Sequence, residues 1–597
     1  MTTATTGGPG APTPIWFGPA ERPLFGWLHL PRDRTVRGGV VLCQPLGIEA
    51  ICAYYAYRIL ADRLAEQGLA VLRFDYDGTG DSVGEETDPD RVAAWLGSLD
   101  AAANELVATG VPSVALVGMR LGALFAAHEA ARRGGVDALV LWDPSVSGKS
   151  FLREQRFLRQ VSGGASDRDD GALDAPGIRF ESDTVEALVD LDLTEFEGTL
   201  AKRTLVLLAP GTTGSRSLRR RLDGLDVDWQ EAAGQDLLLD SRKQEPPMGT
   251  IGHVVDWLTT ELRGAPTTVA EVAPGRNRTV VATKRAGQPV VEEAVTFGDL
   301  PLFGIVTAGE DAVPGTTVVL VNEGNTHHIG QARLWVDLAR RLGSAGFRTL
   351  RYDLSGNGDS GTRPGQHDHV AVAPEAIDDV YEAMRSFSTD DPTDVVLVGF
   401  CSGAYSVIEQ ALRHPPRGIC VISPAFTFTL EGPDDPAVRQ ARQRTKPWFV
   451  RLVGPPLHWV GTRSNPTEVD RWMRALENGA WPVAVAQRRP GVPEWVWRFV
   501  HLHLLEDTGI STLERIDALG VDTFLVCGNA DFIPIAIGSG DRIRMLEQSP
   551  HFHLNVVDEL DHAAWSKEQR ELLVDLMVEH FERRWPPPAA SRRPATD

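Results

Sequence analysis

Along this chain short apolar runs rich in valine and leucine alternate with amphipathic stretches of helical period, which predicts strands and helices in alternation. In the carboxy-terminal half the runs predict strands at Thr317–Asn322, Arg348–Asp353, Asp394–Val398, Gly418–Ser423, Thr523–Cys527 and His553–Val557. Strands separated by helices build a mostly parallel sheet covered by helices, an α/β fold. Such sheets carry their chemistry at the carboxyl ends of the strands.

The pattern occurs twice. Pro23-Leu24-Phe25-Gly26 recurs as Pro301-Leu302-Phe303-Gly304, and Val40-Val41-Leu42 as Val318-Val319-Leu320. The stretch Leu72-Arg73-Phe74-Asp75-Tyr76-Asp77-Gly78-Thr79-Gly80-Asp81-Ser82 recurs as Leu350-Arg351-Tyr352-Asp353-Leu354-Ser355-Gly356-Asn357-Gly358-Asp359-Ser360. All three pairs are 278 positions apart, so the chain is an internal duplication. Residues 13–263 and 276–584 form the two copies, Gly264–Gly275 reads as a linker, and the proline-rich tail 585–597 as disordered.

The chemistry concentrates at Gly399-Phe400-Cys401-Ser402-Gly403, which follows Val395-Val396-Leu397-Val398 and leads into the helix-like Ala404-Tyr405-Ser406-Val407-Ile408. A strand, a sharp turn flanked by small residues and a helix make a nucleophile elbow, and the spacing of the glycines puts Cys401 at its apex. Centring Ser402 instead would place bulky Phe400 in a flanking position.

These features resemble the α/β-hydrolase superfamily, over nearly the whole chain and twice: two tandem domains, each a mostly parallel sheet flanked by helices, with a lid insertion after the sixth strand. More narrowly, Gly118-Met119-Arg120-Leu121-Gly122-Ala123 and Leu141-Trp142-Asp143-Pro144-Ser145-Val146-Ser147-Gly148-Lys149 make the first half similar to a hydrolase type encoded beside exosortase and exopolysaccharide systems. The second half resembles its companion type, with cysteine in the elbow. In place of the companion's glycine-rich loop stands Asn322-Glu323-Gly324-Asn325-Thr326-His327-His328.

The resemblance implies the order nucleophile, acid, histidine. Val526-Cys527-Gly528-Asn529-Ala530-Asp531 is a strand running into a small-residue turn with a carboxylate, and Glu559-Leu560-Asp561-His562 follows the last strand. Cys401, Asp531 and His562 are therefore the expected triad, with Asp561 or a carboxylate near the sixth strand as competitors for the acid. The dipole of the helix that opens after Cys401 favours thiolate. The expected oxyanion donors are the backbone N–H of Ser402 and a second from Glu323 or Gly324. Cys420 and Cys527 read as buried filler. His551 and His553 are expected to pack or face solvent, and His327 and His328 to be solvated loop residues. No Cys/His spacing resembles a zinc site, and neither metal nor cofactor is expected.

The first copy lacks all three roles. Arg120 occupies the apex, Leu205–Ser215 offers no acid, and Trp229–Gln244 contains no histidine. Arg120 is either an anchor for a carboxylate or phosphate ligand or the partner of an internal acid such as Asp75 or Asp143, with the internal pairing favoured.

With 59 Lys plus Arg against 81 Asp plus Glu, the formal charge of −22 disfavours a nonspecific grip on nucleic acid or anionic membrane. The five cysteines (Cys43, Cys52, Cys401, Cys420 and Cys527) are odd in number and mostly set in apolar runs, which suits free thiols in a reducing compartment. The amino terminus lacks a signal-peptide pattern and no apolar run approaches a membrane span, so a cytoplasmic protein without membrane insertion is expected.

Residues 425–520 of the second copy read as a lid. It holds Trp448, Trp459, Trp472, Trp481, Trp495 and Trp497, and from Glu431 to Arg498 its balance is eleven basic to seven acidic residues. A basic surface near the pocket mouth suits an acidic acyl-carrier protein or the phosphates of coenzyme A, although solvated charge on lid helices accounts for it equally. Exchange between an enzyme thiol and a pantetheine thioester is nearly balanced in energy, and the acyl-cysteine stays activated for attack. The expected activity is thus a thioesterase or acyltransferase acting through acyl-Cys401, in natural-product or polysaccharide biosynthesis. Three alternatives stand beside it: a Dieckmann-type or lactone-forming cyclase, an ester or lactone hydrolase with the same triad, and a noncatalytic scaffold. Ser423-Pro424-Ala425-Phe426 lacks the acid that Dieckmann cyclases of this fold carry after the sixth strand.

Overall fold

The computed structural model describes residues 10–161, 170–196, 199–211, 216–240, 243–283, 289–310, 315–371, 373–388, 391–424, 509–529, 531–532, 541–558 and 560–587. The first copy is built on strands β1 (Thr13–Phe17), β2 (Leu24–His29), β3 (Gly39–Cys43), β4 (Ala70–Phe74), β5 (Val114–Met119), β6 (Ala138–Trp142), β7 (Arg203–Leu208) and β8 (Val227–Glu231). They form one sheet in the order β1-β2-β4-β3-β5-β6-β7-β8. Pairing is antiparallel from β1 to β2 and from β2 to β4, and parallel across the rest.

Alternation along these strands splits their side chains between two cores. Val41, Leu72, Leu116 and Leu139 enter one, while Val40, Leu42, Val71, Val117 and Val140 enter the other. Helices therefore cover both faces, which is why the strand sequences read as continuous apolar runs. The helices of this copy include α1 (Ile48–Glu66) and α2 (Leu121–Arg133).

The second copy contains β9 (Arg278–Thr283), β10 (Pro289–Phe297), β11 (Leu302–Gly309), β12 (Thr317–Val321), β13 (Arg348–Tyr352), β14 (Val395–Phe400), β15 (Gly418–Ile422), β16 (Asp522–Gly528) and β17 (Phe552–Val557). Its helices include α3 (Leu334–Ala345) and α4 (Ser402–Arg413). The six strands expected from the sequence are present, displaced by at most two residues at an end.

Compact units do not follow the repeat. One comprises Met1–Gly315, Thr326–His369 and Ala564–Asp597, and the other Thr316–Asn325 and Val370–Ala563. The larger unit holds the whole first sheet together with the antiparallel run β9-β10-β11-β13. The smaller unit holds β12, β14, β15, β16 and β17, each paired in parallel with the next.

The duplicated Asp-x-x-Gly-x-Gly-Asp-Ser turn owes its sequence to a shared bonding scheme. Asp75 accepts from Asp81 N at 2.9 Å, while Ser82 Oγ donates to Asp75 O at 2.7 Å and accepts from Phe25 N at 2.9 Å. In the second copy Asp353 accepts from Asp359 N at 2.8 Å, and Ser360 Oγ bridges Asp353 O and Phe303 N at 2.6 and 2.9 Å. A Cβ at Gly80 or Gly358 would stand 2.2 Å from the carboxylate it curls over, and both glycines have positive φ, 48° and 52°.

Within the expected linker, Thr267–Thr268 pairs antiparallel with Thr35–Val36, so that part is tied to the first copy. Trp585, expected to begin a disordered tail, is buried against Phe581 and His580; its large apolar ring outweighs the prolines that come after it. Residues 588–597 lie outside the described residues, as does the expected lid up to position 508 with its six tryptophans and basic surface. Gly509–Ala518 is an α-helix.

Candidate active site at the Cys401 elbow

Strand β14 ends at Phe400 and α4 begins at Ser402, leaving Cys401 alone to make the turn, at φ 49° and ψ −112°. This is a strained conformation for a residue with a side chain. It is held by Cys401 N donating to Ile422 O at 3.0 Å and by the flanking glycines. A Cβ on Gly399 would meet Gly403 O at 2.5 Å, and one on Gly403 would meet Val321 O at 2.5 Å. Only glycine lets strand, turn and helix approach this closely, which leaves the Cys401 side chain at the apex.

The Cys401 Sγ lies 3.2 Å from His562 Nε2. On the opposite side of the ring, His562 Nδ1 is 3.0 Å from each oxygen of Asp531. Three segments far apart in sequence thus bring together the three side chains expected to form a triad: the elbow, the turn beyond β16 and the segment after β17. The hydrogen bond with Asp531, then that with Cys401, pushes the His562 imidazole up to about 10. Asp561, the competing acid, accepts from Ala563 N at 2.9 Å. His553 Nε2, on β17, lies 3.6 Å from Asp522 Oδ1, and His551 N donates to Ser549 Oγ.

Among the five cysteines, all unpaired, Cys401 alone is half-buried and the other four are buried. Burial pushes the Cys52 and Cys527 thiols up to about 12 and raises Cys43 and Cys420 as well. A thiol held this way does not ionise at neutral pH.

One donor assignment needs revision. Gly324 N–H points at the Ser402 hydroxyl, 2.6 Å away, and so is engaged in tying the loop after β12 to the elbow. Ser402 N–H lies in the first turn of α4, where backbone donors have no intrahelical acceptor. Ser402 and Glu323 therefore remain the expected oxyanion pair, and Gly324 drops out. The hydroxyl of Ser402 is itself a contributor that the sequence reading missed. A serine directly after the apex was the available signal, visible only in relation to the opposing loop.

His327 and His328 are buried and not solvated as expected. His327 stacks on Tyr54 at 3.6 Å between ring centroids. Nδ1 of His328 sits 3.1 Å from Asp353, and its Nε2 is 2.7 Å from Asp81. Burial alone would lower the His328 pKa, but the charges of Asp353 and Asp81 hold it up to about 10, whereas burial and the charge of His328 push His327 down to about 3.

The first copy repeats the elbow with Arg120 at φ 54° and ψ −118°, and a Cβ on Gly118 would meet Gly122 O at 2.4 Å. Arg120 donates from Nε to Glu49 at 3.1 Å, from Nη1 to Asp143 at 3.2 Å and from Nη2 to Glu154 at 2.5 Å. The guanidinium thus faces three carboxylates of the protein itself, the arrangement of an internal ion cluster and not of an open anion site. Asp75 is not among them, because its oxygens take Gln44 Nε2 and Asp81 N.

Comparison with known proteins finds a matching family model in each half. Residues 318–576 match the model of the alpha/beta hydrolase family, and residues 37–166 match the model described as serine aminopeptidase, S33. A curated relative, the uncharacterized protein YcjY of Escherichia coli (strain K12), is 32% identical over 75 residues, 13% of this chain; the chain spans 24% of that relative's length. Similar solved structures include Est1E from Butyrivibrio proteoclasticus with ferulic acid bound, at 15% identity over 42% of this chain and 99% of that one, TM-score 0.33. An esterase domain from a Rhodothermus marinus protein is 17% identical over 42% of this chain and 99% of that one, TM-score 0.31. No helix among the described residues is long and apolar enough to cross a membrane.

Proposed function

We propose that this chain, which carries two α/β-hydrolase domains in tandem, is a cysteine-dependent acyl-transfer enzyme whose second domain works through an acyl-Cys401 intermediate. The observation that carries this reading is the relay of Cys401 Sγ, His562 and Asp531 at hydrogen-bond distances on the apex of the elbow. Asp531 orients the imidazole so that Nε2 faces sulfur, and His562, already carrying the Sγ proton, leaves sulfur as the thiolate that attacks an acyl carbonyl carbon. The tetrahedral oxyanion is received by the backbone N–H groups of Ser402 and Glu323. Its collapse breaks the bond to the leaving thiol, which picks up the proton from His562. In the second half an acceptor hydroxyl, amine or water gives its proton to His562 and displaces the Cys401 thiolate.

The preferred donor is a thioester of coenzyme A or of an acyl-carrier protein. Thiol–thioester exchange trades one C–S bond for another, so the acyl-enzyme forms without a large energy step and keeps its activation for transfer. A histidine held up to about 10 is suited to returning a proton to a departing thiolate.

The test is intact-protein mass spectrometry after mixing with a panel of acyl-pantetheine thioesters. A wild-type adduct that is absent from Cys401→Ala, and that forms slowly in His562→Ala, is the expected result. Absence of both adduct and thiol release with every donor, alongside turnover of simple esters or lactones, would replace the thioester reading with an ester or lactone hydrolase.

A further inference from the structure

The larger compact unit contains a set of contacts between the first copy and residues 276–315 and 326–369 of the second, and these contacts are reciprocal. Arg73 of the first copy pairs with Asp359 of the second at 2.5 Å. The equivalent Arg351 of the second pairs with the equivalent Asp81 of the first. All four side chains are at most 6% exposed.

The surroundings exchange element for element, although not residue for residue. On one side, Tyr54 and Arg58 of α1 donate to Asp359 Oδ2 and Gly358 O, in the Asp-x-x-Gly-x-Gly-Asp-Ser turn of the second copy. On the other, Arg333 beside α3 donates to Gly80 O at 2.8 Å, and Arg340 within α3 donates to Asp81 O at 2.7 Å, in the matching turn of the first. Between the two sets lies an apolar cluster of Trp16, Phe25 and Trp27 with Ala294, Phe303 and Ile305, each three being the 278-residue counterparts of the others. Trp27 meets Phe303 at 4.5 Å between ring centroids.

A patch whose residue i meets residue j while the copy of j meets the copy of i is an isologous interface, the contact made by two-fold dimers. We infer that the two copies form an internal dimer through the Arg73/Asp359 and Arg351/Asp81 exchange, and that the first copy, without a triad of its own, serves as the partner subunit completing that interface. Retention of its fold, its Asp-x-x-Gly-x-Gly-Asp-Ser turn and its buried Arg and Asp is explained by this role, since removing one member of a buried pair leaves the other charge uncompensated. Deviations from symmetry are local. His328 is inserted beside Asp81, and Glu292 receives both Arg340, at 2.9 Å, and Arg351, at 2.8 Å.

The test keeps the full chain and cuts it after folding. A specific protease site placed within positions 270–275, which are largely exposed, is cleaved in the native protein, and the products are sized at micromolar concentration. The wild-type halves should elute as one particle. Arg73→Asp, which sets an aspartate against Asp359, should weaken their association by about 10²-fold or more. Combining Arg73→Asp with Asp359→Arg should restore most of it, and this double variant decides the matter even if the single one fails to fold. Separation of the wild-type halves on cleavage, equal retention by wild type and Arg73→Asp, or a double variant no tighter than the single one would each overturn the inference.

Discussion

Arg120 and Cys401 stand on the same backbone, within about 6° in both φ and ψ, and behind each a glycine is pressed to within 2.4–2.5 Å of a carbonyl oxygen as measured from a built Cβ. What surrounds them differs completely. Arg120 is ringed by Glu49, Asp143 and Glu154, whereas Cys401 faces a histidine that is itself held by one carboxylate. The strained turn is therefore maintained by how a strand, a turn and a helix pack, independently of any reaction at its tip. Reactivity is the more fragile property, because it needs three side chains delivered by three separate segments.

That difference sets the largest expected effects. Arg120→Cys in a Cys401→Ala background should show no acylation, since the first elbow presents three carboxylates in place of a histidine held by an acid. In the second copy His562→Ala and Asp531→Asn should slow single-turnover acylation by roughly 10²–10⁴-fold, the contribution typical of a positioned acid–base group. The two variants should differ in pH dependence. Because the Asp531 hydrogen bond is the chief reason His562 stays protonated up to about 10, wild-type turnover that uses this proton should decline only as pH rises through that value. Asp531→Asn should bring the decline to lower pH. A profile left unmoved by Asp531→Asn would break the assignment of the acid.

Arg120→Met should have the next largest effect, this time on stability alone. Glu49 is a buried and Asp143 a half-buried carboxylate, burial already raises the pKa of both, and they would lose the guanidinium that compensates them. The expected cost is about 3–5 kcal/mol, read as a lower midpoint for the unfolding transition of the first copy, with acylation of Cys401 unchanged. Pairing Arg120→Met with Glu49→Gln should recover part of the loss. A neutral Arg120→Met would mean that the three carboxylates do not depend on it.

Much of the molecule was legible from residue patterns because it is repeated or local. The strands of the second copy declared themselves by continuous apolar runs, and the elbow by glycines two positions either side of Cys401. The duplicated Asp-x-x-Gly-x-Gly-Asp-Ser motif marked a turn in which each named residue has a bonding role. The missed features depend on partners remote in sequence. Nothing near His328 signals that Asp81, 247 residues away, will bury and charge it. Likewise Gly324 N–H is committed to Ser402 by the approach of a loop 78 residues distant. Pairing Arg120 with Asp143 was anticipated, but Glu49 and Glu154 come from α1 and from the Gly148–Val161 helix, whose docking no local pattern encodes.

The smallest predicted effect bears most directly on why the two elbows remain alike. Gly118→Ala and Gly399→Ala each drive a methyl group against a backbone carbonyl in a tightly packed strand–helix contact. Relief requires the helix to move, at an expected cost of about 1–3 kcal/mol in either copy. If the elbow is a packing feature, the two substitutions should destabilise to similar extents, and only Gly399→Ala should also slow acylation, by shifting Cys401 relative to His562. A first copy that tolerates Gly118→Ala freely would show that its elbow is no longer under packing constraint. The preserved backbone would then be a remnant of descent, with Arg120 and its three carboxylates holding in place a turn that the fold does not require.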